Sequence, residues 1–161
     1  MRIFKGRIMD KFNKRIISVA TLLSEPSLKI PAYQRPYKWT QKNLNDLLAD
    51  IQRYRGKSAY RLGAVVFHRH FYHIDQKHIE ILDIVDGQQR TLTLMLLAKA
   101  ILKEKELGNI KLDREDISSQ LNILAPVIDA FLYRQTFNSD ISQYNIHQNF
   151  LAARRAVTRS E

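Results

Sequence analysis

The stretch IVDGQQRTLTLMLLAKAI, residues 84–101, decides how this chain folds. It runs from an apolar, strand-like segment into a helix that is apolar almost all round: Leu92, Leu94, Met95, Leu96, Leu97, Ala98, Ile101 and Leu102. Such a helix must be buried. Between strand and helix stand Asp86, Gly87, Gln88, Gln89 and Arg90. A purely structural account makes Asp86 the N-cap, accepting from the backbone N–H of Gln88 or Gln89. Gln89 would reach back to the N-cap N–H, and Gly87 would ease the corner. Arg90 does not fit that account, because a cation in the first turn opposes the helix dipole. Beside free N–H groups, however, a guanidinium makes an anion site, since the dipole favours negative charge and the fork matches phosphate oxygens. The reading is a buried helix that opens onto a phosphate pocket.

Outward from this stretch, the pattern alternates between helical and extended segments. Residues 16–23 read as a short helix and 28–30 as an extended piece, with Pro31 biasing Ile30 away from helix. Thr40 looks like an N-cap. Leu44, Leu47, Leu48, Ile51 and Tyr54 form one apolar stripe over 41–55. Strands are expected at 61–69, 71–74 and 79–85, the last two joined by a turn near Asp75-Gln76-Lys77. Helices are expected at 88–107, 114–135 and 145–159. The fold class is therefore α+β, with a small mixed sheet packed against several helices and additional C-terminal helices from about residue 110.

Composition narrows the class. With 161 residues the chain can form one domain around a real core. It has no cysteine, so disulfides and thiolate metal sites are excluded. The basic amino-terminal segment lacks the apolar stretch of a secretory signal. The longest apolar run, near Leu92–Leu102, is too short for a bilayer. A cytoplasmic protein without membrane contact is expected. The net charge of +10 points to an anionic partner, with nucleic acid first. Basic residues crowd the start (Arg2, Lys5, Arg7, Lys11, Lys14, Arg15) and the end (Arg154, Arg155, Arg159).

Three further groups carry chemistry. In IPAYQRPYKW, residues 30–39, Tyr33, Tyr37 and Trp39 offer faces for stacking a base, and Arg35 and Lys38 offer cations. Gln34 can read a base edge or hold a phosphate. The same aromatics could instead plug the core. His68, His70, His73 and His78 could ligate zinc or iron, but exposed strand histidines are the favoured reading. Asp83 and Asp86 end the strand near the pocket mouth, where a carboxylate and a phosphate together could hold Mg²⁺.

The order of IPAYQRPYKW, a helix ending LLADI, LGAVVF and IVDGQQRTLTLMLL resembles the N-terminal domain of GmrSD-type restriction enzymes, a family grouped with the ParB/sulfiredoxin-like fold. The resemblance implies a single DGQQR domain over residues 1–161, the front part of a longer nuclease protein. It further implies nucleoside triphosphate binding and hydrolysis in modification-dependent DNA restriction against phage. By that resemblance Asp86, Gln88, Gln89 and Arg90 are the catalytic nucleotide-site residues. Gly87, Arg90, Thr91, Arg35 and Gln34 bind nucleotide or phosphate. Tyr33, Arg35, Tyr37 and Trp39 sense DNA or a base. Many members read Arg-Leu-Thr-Thr-Leu where this chain has Arg90-Thr91-Leu92-Thr93-Leu94. A His-Asn-His nuclease domain or subunit is the implied partner, and no such motif occurs here. There is no GxxxxGK[ST] loop, so the chain is not a P-loop enzyme.

The implied mechanism puts phosphates on the N–H groups of the 88–107 helix, clamped by Arg90 and Arg35. Asp86 orients a water or holds Mg²⁺, and Gln88 or Gln89 positions the water or a phosphate oxygen. The alternatives are a module that reads modified DNA without nucleotide chemistry, a ParB-like nuclease, and a structural subunit.

Overall fold

The computed structural model describes residues 14–31, 35–134 and 139–159. The elements follow in order: α1 (Val19–Leu23), β1 (Leu28–Lys29), α2 (Gln41–Arg53), β2 (Val66–Ile74), β3 (Lys77–Asp86), α3 (Gln88–Glu106), α4 (Glu115–Arg134) and α5 (Asp140–Thr158). The three strands form one sheet in the order β1-β3-β2. β1 runs parallel to β3, and β2 pairs with β3 as an antiparallel hairpin. This is the mixed α+β arrangement expected, and it is compatible with a ParB/sulfiredoxin-like grouping.

The helix starts follow local chemistry. Thr40 caps α2, and the Asn43 side-chain oxygen accepts from the Thr40 N–H at 2.9 Å. α5 begins at Asp140 rather than near 145. Asp140 in its first turn favours the earlier start, because a carboxylate there complements the helix dipole; the apolar pattern begins only later and hides the true start.

The strands need a larger correction. The extended segments expected at 61–69 and 71–74 are one strand, β2, which begins at Val66 and continues through His70 to Ile74. Residues 61–65 are not strand, and Gly63 at φ +119° breaks any extended run there. The turn falls on Asp75 and Gln76, both at positive φ (48° and 63°). Two left-handed residues in succession give the twist that a two-residue hairpin needs.

α3 is the central element and packs on α5, α4 and α1. Leu92, Met95 and Leu96 are at most 2% exposed. Burying each such side chain contributes about 1.5–3 kcal/mol. The same core takes in Leu22 and Leu23 from α1, Leu28 from β1, Leu47 from α2, Ile84 from β3, and Ile128 and Phe131 from α4. The first turn of α3 is thus fixed by packing from several sides.

Candidate functional site

The strand-to-helix corner forms differently from the expected cap. Gly87 is the N-cap of α3, at φ +87°, and it offers no side chain. Asp86 is exposed and its Oδ1 accepts from the Gly87 N–H at 2.9 Å, one residue away. The expected Asp86–Gln89 capping box therefore does not form, because the left-handed turn at Gly87 moves the cap one residue on. Any Cβ at position 87 would meet the Ala64 carbonyl oxygen and Val65 Cγ2, both at 3.0 Å. The 63–65 segment thus lies directly over the corner, so LGAVVF and DGQQR are neighbours in space.

Each polar residue of the motif has a distinct position. Gln88 is buried, and its Nε2 donates to the Ile84 carbonyl at 2.6 Å. Gln89 Oε1 accepts from the N–H groups of Lys38 (2.8 Å) and Trp39 (3.2 Å), while its Nε2 donates to the Pro36 carbonyl (3.1 Å). Gln89 thereby ties the aromatic loop to α3. Thr91 Oγ1 donates to the Gly87 carbonyl at 2.8 Å and the residue is fully buried. These three side chains spend their hydrogen bonds on holding the corner and its loop together.

Arg90 differs. Among the described residues its guanidinium has no hydrogen bond or ion pair. It lies against the backbone of Gly63, where a Cβ would come within 2.5 Å of Nη1. It also lines a cleft of about 170 Å³ with Trp39, Asn43, Asp46, Leu47, Asp50, Tyr60 and Leu62. Tyr60 shares the field of Arg90. Partial desolvation, and next the Asp50 carboxylate, raise its phenol above the ordinary value, while the Arg90 guanidinium opposes the rise.

The aromatic loop resolves into a core half and a cleft half. Tyr37, expected as a stacking face, is instead buried at 2% exposure. Its hydroxyl shares a hydrogen bond with Thr93 Oγ1 (2.7 Å) and accepts from Asn149 Nδ2 (2.8 Å). Burial pushes the Tyr37 phenol up, and the bonds to Thr93 and Asn149 oppose this. Its N–H donates to Ser142 Oγ (2.9 Å), and its carbonyl accepts from Asn145 Nδ2 (3.1 Å). The whole ring is therefore locked between α3 and α5. Trp39 is half-buried on the cleft, and Arg35 and Lys38 are exposed. Tyr33 and Gln34 lie outside the described residues.

Other candidates disperse. His70 Nε2 lies 2.8 Å from Asp83 Oδ2 on the sheet, with His68 packed edge-on against His70. Among the described residues no three His, Cys, Asp or Glu side chains converge as metal ligands would. Arg154, at the basic end, is engaged by the buried carboxylate of Glu104.

Sequence reasoning missed Asn43, Asp46, Asp50, Tyr60 and Leu62. The signal was present at 43, 46 and 50, which share one flank of an amphipathic helix. Nothing local to Tyr60 pointed to the cleft.

The family model for the GmrSD restriction endonuclease, N-terminal domain, matches residues 17–158. No curated protein and no solved structure matches the chain. No helix among the described residues is long and apolar enough to cross a membrane.

Proposed function

The chain belongs to the GmrSD restriction endonuclease N-terminal domain family, and from that premise we propose that it is the nucleotide-binding, sensing part of a modification-dependent DNA restriction system. Its partners would be DNA, a nucleoside triphosphate with Mg²⁺, and a nuclease domain or subunit. One observation carries the reading: among the described residues the Arg90 guanidinium has no hydrogen-bond or ion-pair partner, and it lines a cleft beside the start of a buried helix.

The chemistry of the cleft orients the ligand. Pockets that enclose a drug-sized ligand hold roughly 300–1,000 Å³, so a cleft of about 170 Å³ takes only part of a nucleotide. Asp46 and Asp50 on one wall repel phosphates but accept from ribose hydroxyls or base N–H groups. The sugar and base therefore face α2 with Trp39 alongside, and the phosphates turn to Arg90 and the exposed Arg35 and Lys38. At the phosphate end, the exposed Asp86 would be the carboxylate that holds Mg²⁺, because a hard carboxylate together with phosphate oxygens is its ordinary ligand set. The second oxygen of the exposed Asp86 is available to orient a water. Gln88 and Gln89 act as positioning residues, since their amides hold the corner and the loop. Hydrolysis would then rest on positioning and charge stabilisation.

Phosphate release and calorimetry with each nucleoside triphosphate, with and without Mg²⁺, test the reading. Saturable binding by the parent and its loss in Arg90→Ala are expected. Equal heats and turnover in both proteins would remove Arg90 from the site. If no nucleotide binds, the acidic wall of the cleft favours a module that reads a modified base directly.

A further inference from the structure

Between Asp50 and Asp75 the chain contains no acidic residue but carries Arg53, Arg55, Lys57, Arg61 and Arg69. Arg69 is paired with Glu80 on the hairpin. The other four are exposed, and among the described residues none has a carboxylate partner. Elsewhere, cations do find partners: Lys42 with Asp46, Lys99 with Asp129, Lys103 with Glu106, Arg114 with Asp116. Isolated exposed cations are ordinary, but four in nine residues repel one another unless something anionic covers them.

The loop holding them is built rather than loose. Tyr54 and Tyr60 stack face to face, with centroids 4.4 Å apart and planes 5° from parallel. The Lys57 ammonium sits 4.7 Å above the Tyr54 ring, and the Lys57 N–H donates to the Tyr54 carbonyl at 3.0 Å. The stack closes the loop on itself and brings Tyr54, the neighbour of Arg53 and Arg55, against Tyr60, the neighbour of Arg61. Tyr60 is also a wall of the Arg90 cleft. The cationic loop therefore stands at the rim of the cleft.

We propose that Arg53, Arg55, Lys57 and Arg61 form the docking surface for a nucleic-acid backbone, which they bring alongside the Arg90 cleft. The proposal rests on the DNA partner of the reading above, and it separates that partner's seat from the nucleotide's. Charge selects the occupant: four exposed cations, none with a carboxylate partner among the described residues, offer phosphate contacts, and the two tyrosine rings beside them are stacked on each other. This surface would hold duplex DNA with little regard to sequence, leaving discrimination to the cleft.

The test is fluorescence anisotropy with a labelled 20-base-pair duplex over a salt series, using the full chain. The Arg53→Gln/Arg55→Gln/Lys57→Gln/Arg61→Gln variant is compared with an equally neutralised control, Lys77→Gln/Lys111→Gln/Arg155→Gln/Arg159→Gln. Removing one phosphate-binding cation should flatten the slope of log affinity against log salt by about 0.9. The loop variant is expected to bind at least roughly tenfold more weakly at 0.1 M salt and with most of its slope gone, while the control changes much less. Equal weakening in the two variants would reduce the effect to net charge and overturn the proposal. So would parent-like binding by the loop variant, or a loop-dependent affinity for anionic phospholipid vesicles without one for DNA. Nucleotide calorimetry on the loop variant keeps the two claims apart. Loop-dependent DNA binding with no nucleotide bound by any form would sink the cleft reading and leave the docking surface standing.

Discussion

At the carboxyl end of α3 every charge has a partner; at the amino end one cation has none among the described residues. Glu104 is buried and is held by Arg154 from α5 and by Asn109 Nδ2 at 2.6 Å. Lys103 meets Glu106, and Lys105 donates to Ser118. Together these bonds tie α3 to α5 and to the start of α4. At the other end Gln88, Gln89 and Thr91 are equally engaged, and Arg90 is left over. Both ends belong to one buried helix. Where polar groups close on each other they hold the fold, and where one remains open a ligand can close it.

Breaking the satisfied end should have the largest effect. Glu104→Ala leaves Arg154 and Asn109 without their acceptor. It should lower the melting temperature more than any substitution at the amino end, while nucleotide affinity persists. The dependence on pH has a definite sign. The bonds from Asn109 and then Arg154 hold the Glu104 carboxyl below its ordinary value of 4.5. Its contribution is therefore complete above that ordinary value and disappears as pH falls through the depressed one. Melting curves of the parent and of Glu104→Gln should converge on acidification.

Gly87→Ala should come next, because φ is +87° and the new methyl would press on Ala64 and Val65. A strained position of this kind costs about 1–3 kcal/mol, readable by denaturant unfolding. Tyr37→Phe removes the hydroxyl that joins Thr93 and Asn149, and should lower stability by about 1 kcal/mol. Arg90→Ala should change stability least, by no more than about 0.5 kcal/mol. That would mark Arg90 as a residue kept for something other than the fold.

Much of the scaffold was legible. The apolar run after Arg90 announced a buried helix, and the Asp-Gly corner announced its start. The strand boundaries were less so, because histidines at 68, 70 and 73 interrupt the apolar alternation and conceal one continuous strand. At the site, the singular character of Arg90 could be read from its conflict with the helix dipole. The fate of Tyr37 could not, since its partner Asn149 lies 112 residues away and lone aromatics in a proline-flanked loop suit a core or a surface equally. Asp46 and Asp50 share one flank of α2 in the sequence, but only the fold shows that this flank lines the same cleft as Arg90.

Trp39 is the chain's single tryptophan and lines the same cleft as Arg90. Its emission can therefore report on ligand binding beside that guanidinium. Titrating a nucleoside triphosphate with Mg²⁺ into the parent should give a saturable change in Trp39 fluorescence. In Arg90→Ala the midpoint should rise by about ten- to a hundredfold, because a hydrogen bond to a charged group contributes about 1.5–3 kcal/mol. The same midpoint in both proteins, or no change in either, would contradict the account.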